Sequence, residues 1–299
     1  MSAILFYLFI KPLSLLPLRV LHVMSTGLYY ILYHLLGYRK KVVFGNLERS
    51  FPDKTPAEIK AIGSDFYRHF CDLIFESIRL FSMSVEELRR RAYITNPEFI
   101  REVEKLGKGV IVVAGHYANW ELIGTSFSQF TDYHVAALYS PIKDPFFSKV
   151  LSESRAKCGL ELVSKHDGPA MFEAARNQTA FFLFGADQSP TSSKKSFWMD
   201  FLNQDTAVAF GTEKFAKNYD CAVIFGDIQK VKRGYYHMTF SLITENPQEE
   251  EHGMITMEHT RRLEVAIRKE PRYWLWTHRR WKRKREEANE QTPVVENNN

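Results

Sequence analysis

The feature that most constrains the fold is an alternation of strand and helix patterns that begins at residue 110. Val110–Ala114 is an uninterrupted apolar run after Gly109, rich in β-branched residues, which is typical of a strand buried on both faces. Further strands are predicted at Val135–Leu138, Leu160–Val163, Ala180–Phe184, Ala222–Gln229 and Tyr235–Ile243. Helices are predicted at Asn119–Phe130, Pro145–Lys157, Asp167–Arg176, Gly211–Asn218 and residues 253–269. This alternation predicts an α/β fold, a mainly parallel mixed sheet covered by helices, with the last two strands as an antiparallel hairpin at one edge.

Helix-start signals precede the first of these strands. Thr55, Pro56 and Glu58 combine a capping hydroxyl, a proline at the first helical position and a carboxylate that returns to the cap. Apolar residues then recur at helical spacing to about residue 80. Two shorter helices are predicted to begin after Ser84 and Asn96.

Composition narrows the class of protein. Of the 299 residues, 45% are apolar and 25% are charged, which excludes a mostly disordered chain. Aromatic residues make up 14%, which suits either a large core or a membrane interface. The three cysteines contain no C-x-x-C pair, so neither a disulfide scaffold nor a cysteine zinc site is expected, and a reduced cytosolic compartment is favoured.

The excess of positive charge is concentrated in one segment of the chain. Residues 261–285 hold 11 Lys or Arg and 2 Glu, a segment charge of +9, whereas the whole chain carries +5 and the remainder therefore −4. This distribution excludes a protein that binds nucleic acid over its whole surface and indicates an anionic partner for one segment. A nucleic-acid-binding tail and a membrane-facing segment are both compatible with it, and the apolar opposite end of the chain favours the membrane.

The first 36 residues are almost all apolar. A spanning helix near Leu13–Leu36, a tilted or interfacial anchor and a buried N-terminal helix all fit this pattern, since roughly 20 residues cross a membrane core. Arg39, Lys40 and Lys41 follow directly and favour a cytoplasmic position for the rest of the chain. We therefore predict a membrane anchor over residues 1–37, one α/β domain over 38–285 and a disordered tail over 286–299.

One pair of side chains is the best candidate for catalysis. His116 and Glu121 follow the buried strand directly, where ligands of open α/β sheets bind. On one regular helix they would diverge by about 140°, but they converge if His116 lies in the turn and Glu121 in the first helical turn. Glu121 would then orient the imidazole, which would act as a general base on a substrate hydroxyl. A histidine that only caps the helix is an equally good interpretation, and a zinc site would need a third ligand.

Four motifs in order carry a resemblance to a known family. They are Asn46-Leu47-x-x-x-Phe51-Pro52, the turn Gly115-His116 to Asn119-Trp120-Glu121, Asp187-Gln188 after a strand, and Tyr273-Trp274-Leu275-Trp276-x-His278-Arg279-Arg280-Trp281-Lys282. Together they resemble the bacterial lipid A late acyltransferases (the lauroyl and myristoyl acyltransferase family) within the glycerolipid acyltransferase superfamily. The match runs from Tyr38 to Arg285.

The resemblance implies an enzyme of the bacterial inner membrane that faces the cytoplasm. Such an enzyme transfers an acyl chain from acyl carrier protein to a hydroxyl of a lipid A precursor and needs no metal or cofactor. Another glycolipid or aminolipid acceptor is the alternative, and a non-catalytic membrane- or nucleic-acid-binding protein is the alternative from a different class. Nucleic acid is not expected as a partner.

Six further residues are candidates for substrate binding. They are Asn119, Arg155, Asp187, Gln188, Arg279 and Arg280. Arg155 fits a phosphate contact or a solvated helix face equally, and Asp187 with Gln188 fits a site or a backbone turn. The apolar residues between Phe197 and Leu202 are predicted to lie in a long loop, as a lid or wall for an acyl chain or as a small satellite core.

Overall fold

A seven-stranded sheet forms the centre of the protein. The computed structural model describes residues 2–140, 143–176 and 178–285, and it orders the sheet β1-β9-β8-β2-β5-β3-β4. The strands are β1 (Ala92–Ile94), β2 (Val110–Ala114), β3 (His134–Tyr139), β4 (Leu160–Ser164), β5 (Ala180–Gly185), β6 (Ser196–Phe201), β7 (Gln204–Ala209), β8 (Ala222–Lys232) and β9 (Tyr235–Thr244). Strands β6 and β7 form a separate two-stranded sheet. The predicted tail, residues 286–299, lies outside the described residues.

The sheet is mixed and mostly parallel, as the strand–helix alternation predicted. Strands β8, β2, β5, β3 and β4 run in one direction, whereas β9 pairs antiparallel with β8 and carries β1 parallel to itself. The predicted antiparallel hairpin of β8 and β9 is present, but it is not the outermost element of the sheet, because the short β1 pairs with β9 and forms the edge. Val110 and Ile111 of β2 are fully buried because strands flank it on both sides.

Helices cover the sheet and also make up most of the chain before β1. They are α1 (Ser2–Leu5), α2 (Lys11–Leu15), α3 (Leu18–Tyr29), α4 (Lys40–Ser50), α5 (Pro56–Leu80), α6 (Val85–Arg91), α7 (Pro97–Glu104), α8 (Trp120–Ser126), α9 (Pro145–Ala156), α10 (Gly168–Ala174), α11 (Gly211–Tyr219) and α12 (Met254–Lys269). Wide π-type turns occupy Phe6–Ile10 and Tyr30–Leu35, and 3₁₀ turns occupy Phe127–Gln129 and Pro271–Tyr273. The predicted capping box of α5 is present, since Thr55 and Glu58 exchange hydrogen bonds.

The N-terminal helices bend and pack on the body through one face. Among the described helices, none alone has the length and apolar composition to cross a membrane; Ser2–Leu15 and Leu18–Leu35 meet that test only together, across a bend of 119°. Leu21 of α3 is buried beside Phe75 of α5, and Ser25 donates a hydrogen bond of 2.6 Å to buried Asp72. The opposite side of these helices stays exposed and apolar.

The segment expected to be a long loop contains a hairpin. Strands β6 and β7 pair through a tight turn in which Leu202 and Asn203 both have positive φ, a geometry that joins twisted strands well. Phe201 is buried and makes an edge contact with Trp274, at a ring separation of 5.7 Å. This aromatic cluster therefore holds the C-terminal segment against the sheet.

Candidate active site

Two loops that follow adjacent strands meet at the carboxyl edge of the sheet. Strands β2 and β5 are parallel, and their register pairs Ala114 with Gly185 at the end of each strand. His116 and Asp187 each lie two residues beyond these partners, so the register itself brings them together. Gly185 leaves room for the imidazole, because a Cβ at that position would lie 2.9 Å from Cε1 of His116.

The carboxylate of Asp187 holds the histidine by two atoms. Its Oδ1 lies 2.5 Å from the imidazole Nδ1 of His116, and its Oδ2 accepts the backbone N–H of the same residue at 2.9 Å. The indole Nε1 of Trp274 also donates to Oδ2, at 2.7 Å. With Nδ1 committed to the carboxylate, the other ring nitrogen, Nε2, is the one available to exchange a proton with a substrate.

The contact between His116 and Asp187 shifts the pKa of each side chain in the direction that a general base requires. Burial by itself lowers the pKa of His116, but the charge and hydrogen bond of Asp187 outweigh burial and raise that pKa above its ordinary value of 6.5. Burial raises the pKa of the Asp187 carboxyl, yet His116 and Trp274 stabilise the charged form and bring this pKa to about 2. Asp187 is thus ionised at neutral pH although its side chain is only 3% exposed.

The structure gives His116 a different carboxylate from the expected one. Glu121 lies in the first turn of α8, as predicted. Its carboxylate, however, accepts hydrogen bonds from Nε and Nη2 of Arg155, on α9, at 2.8 and 2.6 Å. The expected hydrogen bond from His116 to Glu121 is absent from the described contacts: Asp187 binds Nδ1 of His116, and Arg155 binds both carboxylate oxygens of Glu121. Glu121 still raises the pKa of the imidazole through its negative charge.

An apolar cavity of about 440 Å³ opens beside this pair. It lies between α8, α9 and the sheet, and strands β2, β3, β4, β5, β8 and β9 all contribute side chains to its wall. Among the wall residues are Val112, Ile123, Phe127, Leu138, Leu162, Leu183, Ile228 and Met238. His116, Glu121, Arg155 and Gln188 contribute polar groups to the same lining, which combines a large apolar volume with a few convergent polar groups.

Two neighbours fix the exposed side of the imidazole. Nε2 of Gln188 lies 3.3 Å from Nε2 of His116, within hydrogen-bond distance of the nitrogen that does not face Asp187. Trp120 packs its ring edge-on against the imidazole, with the centroids 5.1 Å apart. Gln188 therefore lies beside the nitrogen that faces away from Asp187, and Trp120 adds an apolar contact that restricts the ring.

Asn119 lies in the same turn but faces the interior. It is 1% exposed, and its Oδ1 caps α8 by accepting the backbone N–H of Leu122 at 3.1 Å. Its Nδ2 donates to Oε2 of buried Glu76, on α5, at 2.6 Å. Both described contacts of Asn119 therefore hold the turn, and its contact with substrate stays a prediction.

The C-terminal basic segment separates into exposed and buried cations. Arg279 is exposed, whereas Arg280 is 2% exposed and donates to the backbone carbonyl of Ala207 at 2.7 Å. Burial lowers the pKa of Arg280 to about 10, against the opposing effect of Asp187. Arg280 is thus packed behind the site against the β6–β7 hairpin, and its contact with an anionic substrate stays a prediction. Arg285 pairs with Asp205, at 2.7 Å.

Sequence reasoning did not single out two of the residues that shape the site. Trp274 appeared only as part of a motif, yet its indole completes the hydrogen bonds of Asp187 and its backbone bridges to Tyr117. Glu76 carried no signal beyond its place in a long amphipathic helix. Equal offsets from two neighbouring strands could have paired His116 with Asp187, had the strand order been known.

Comparison with known proteins gives the class to which this fold and site belong. The chain belongs to the bacterial lipid A biosynthesis acyltransferase family, whose family model matches residues 2–283. The family resemblance drawn from the four motifs is confirmed, and the protein is an acyltransferase of this family.

Curated relatives show the same class over nearly their whole length. The chain is 21% identical over 269 residues to a lipid A biosynthesis lauroyltransferase of Escherichia coli (strain K12), covering 89% of this chain and 87% of the relative. It is 21% identical over 271 residues to a lipid A biosynthesis palmitoleoyltransferase of the same organism, with 89% and 86% covered. A lipid A biosynthesis acyltransferase of Shigella flexneri gives the same identity and coverage.

Proposed function

We propose that the protein transfers a fatty acyl chain from an acyl carrier protein thioester to a hydroxyl of a lipid A precursor, with His116 as the general base. One observation carries the proposal: a buried carboxylate holds Nδ1 of His116, while the ring lines an apolar cavity of about 440 Å³. A base at the mouth of an apolar cavity suits the meeting of an acyl chain with a polar acceptor. The names of the curated relatives, which are lipid A acyltransferases, support the acceptor class.

The reaction needs no nucleophile from the protein. The acceptor hydroxyl oxygen attacks the thioester carbonyl carbon while Nε2 of neutral His116 takes the hydroxyl proton. The tetrahedral intermediate then collapses, the carbon–sulfur bond breaks, and the imidazolium returns the proton to the departing thiolate. An ester and a free carrier thiol result. Asp187 stabilises the imidazolium between these two steps, as its effect on the pKa of His116 indicates.

Glu121 and Arg155 act on charge rather than on the orientation of the imidazole. Two nitrogens of Arg155, Nε and Nη2, bind the Glu121 carboxylate, which leaves Nη1 as the third nitrogen of the guanidinium. Both side chains line the cavity and are 24% exposed. We assign Arg155 to an anionic group of the reactants, either a phosphate or the developing oxyanion, because a planar guanidinium suits such oxygens.

The N-terminal helices are the proposed membrane attachment. Large apolar side chains are exposed along residues 4–36, among them Leu8, Val23 and Leu35. Because α3 packs one face on α5 and the helix pair bends by 119°, an interfacial position fits better than a straight span. The family resemblance implies the cytoplasmic face of the inner membrane, where an acyl carrier protein is available.

Mass spectrometry of reaction products tests the proposal. Full-length protein is incubated with acyl carrier protein thioesters of several chain lengths and with total bacterial lipid, and new acylated lipids are identified. We expect a lipid A precursor that gains one acyl chain, together with free carrier thiol. Acylation of a different glycolipid or of an aminolipid would keep the acyl transfer but change the assigned acceptor. Absence of acyl transfer from every donor would overturn the proposed reaction.

A further inference from the structure

Glu76 is a buried acid in the middle of α5 that the proposed reaction does not use. Its side chain is fully buried, and polar side chains from three other parts of the fold converge on it. Nε2 of His22, on α3, lies 3.0 Å from Oε1; Nδ2 of Asn119 and the hydroxyl of Tyr236, on β9, lie 2.6 and 2.8 Å from Oε2. A buried acid with three partners is costly to desolvate, and here it connects the N-terminal helix, the sheet and the catalytic turn.

The contact with Glu76 determines which way the Asn119 amide points. An amide side chain has one accepting and one donating end, and α8 needs the accepting end, because the backbone N–H of Leu122 points at Oδ1. Glu76 offers only acceptor oxygens to Asn119, so the donating end must turn toward it. The cap of α8 is therefore set by the acid on α5 as well as by Asn119 itself.

This cap is coupled to the base through very short chain segments. Asn119 is three residues after His116 and directly precedes Trp120, which packs on the imidazole, and Glu121, which binds Arg155. Ala118 between them has φ 49°, an unusual conformation for a residue with a side chain. A turn held in that conformation relies on its neighbours, so a reoriented Asn119 would shift the whole segment.

We propose that Glu76 is a positioning residue for acyl transfer, which acts through Asn119 on the turn from His116 to Glu121. The inference rests on the proposed function for its kinetic readout. Misplacement of reacting groups by about 1 Å costs up to about 10²-fold in rate. Glu76→Gln removes the negative charge that strengthens the contact with Asn119, and its new amide group faces either Asn119, as a second donor, or His22, whose Nε2 accepts in its other tautomer. We expect a loss of tenfold or more in kcat with little change in KM for the acyl donor.

A polarity swap distinguishes positioning from simple stabilisation. In Asn119→Asp, two acids face each other at the 2.6 Å contact, and kcat should again fall. In the double variant Glu76→Gln with Asn119→Asp, the new amide on α5 can donate to the new carboxylate, which still caps α8, while the amide oxygen still accepts from His22. We expect the double variant to recover most of the kcat lost in either single variant. Losses that simply multiply in the double variant would overturn the proposal, as would Glu76→Gln with wild-type kcat.

Glu213 provides the matched control. It is a fully buried acid on α11 that accepts the backbone N–H groups of Gly253 and Thr256 at the start of α12, and none of its described hydrogen bonds involves residues 116–121. Glu213→Gln should lower the melting temperature at least as much as Glu76→Gln, yet keep kcat within about threefold of wild type below the transition. Equal losses of kcat in both variants would reduce Glu76 to a structural role and contradict the inference.

Hydrogen exchange tests the same inference without turnover. Amides of residues 116–126 should exchange faster in Glu76→Gln and return toward the wild-type rate in the double variant. If wild type transfers no acyl group to any lipid, the proposed reaction fails, whereas this measurement still decides the role of Glu76. Unchanged exchange over residues 116–126 in Glu76→Gln would overturn it.

Discussion

The imidazole Nδ1 of His116 lies 2.5 Å from Oδ1 of Asp187, although the two residues are 71 positions apart in the chain. The register of two parallel strands produces this contact, since each residue lies two positions beyond the paired strand ends. A histidine next to a buried, ionised carboxylate has a defined tautomer and a stabilised cation. The arrangement thus commits one ring nitrogen to the carboxylate and leaves the other, which the exposed side chain of Gln188 approaches at 3.3 Å, to exchange a proton with a substrate.

Replacement of Asp187 by Asn should alter both the rate and its dependence on pH. A general base works in its neutral form, so kcat/KM of the wild type should rise with pH, with an inflection above 6.5, because Asp187 raises the pKa of His116. Without that charge the lowering effect of burial gains weight, and the inflection should move to lower pH. We also expect kcat to fall about 10²-fold, within the range of positioned proton transfer.

A pH–rate profile of both forms, with the melting temperature as a control for folding, checks this prediction. An inflection at the same pH in Asp187→Asn and wild type would show that the carboxylate does not control the base. The corresponding Glu121→Gln profile should shift in the same direction but less, since Glu121 acts on the imidazole only through its charge.

Glu121 and Arg155 should behave as one unit. Their paired hydrogen bonds of 2.8 and 2.6 Å mean that loss of either partner leaves the other without its position. We expect Glu121→Ala and Arg155→Ala each to lower kcat about tenfold, and the double variant to lose little more than either alone. Arg176→Ala, which breaks an exposed pair of similar geometry with Glu173, serves as the control and should leave kcat unchanged. If the losses of kcat in the two single variants added fully in the double variant, Glu121 and Arg155 would not act together.

Gly124 offers a direct test of the cavity as the acyl site. It lies on α8 and lines the cavity, and a Cβ at this position would meet nothing within 4 Å. Gly124→Leu therefore has an unobstructed Cβ, and it should fill cavity space and shift donor preference toward shorter acyl chains. Because Leu favours a helix over Gly by roughly 0.5–1 kcal/mol, stability should not fall. Gly211→Leu, at a helix start with similar free space, is the control. An unchanged chain-length preference would place the acyl chain elsewhere.

The exposed apolar face of the N-terminal helices should govern membrane binding. Leu8, Val23 and Leu35 are 65%, 73% and 78% exposed, so their replacement by Ser removes apolar surface without opening the core. Each buried methylene contributes about 0.8 kcal/mol to membrane insertion, so the triple variant should sediment with lipid vesicles far less than wild type. Val265→Ser, 68% exposed on α12, should not change sedimentation. Equal vesicle binding by the triple variant and wild type would reject the proposed anchor.

Local patterns predicted the elements well where the signal was short-range. The apolar run Val110–Ala114 became a central strand with those bounds, and the capping signals at Thr55 and Ser84 marked true helix starts. The edge strand β1 was missed because three residues carry no usable period. The β6–β7 hairpin was missed because its turn uses Leu202 at positive φ, where Gly is the usual signal.

The site shows why long-range contacts resist prediction from one sequence. His116 was found because its motif follows a clear strand, but the choice between Glu121 and Asp187 as its partner depends on strand order and register. Glu121 and Asp187 both follow local patterns that fit a site. Only the tertiary fold shows that the carboxylate of Glu121 binds Arg155. Glu76 could not be identified at all, since its three partners come from distant segments.

The most direct test of the proposed chemistry is the rate of acyl transfer by His116→Ala. The measurement follows acyl carrier protein thioester and acylated lipid by mass spectrometry, at saturating donor, with vesicle binding and melting temperature recorded for the same sample. We predict a loss of about 10²–10⁴-fold in kcat, the contribution of a positioned base, while the protein stays folded and bound to vesicles. Near-normal acyl transfer by folded His116→Ala would contradict the assignment of His116 as the base.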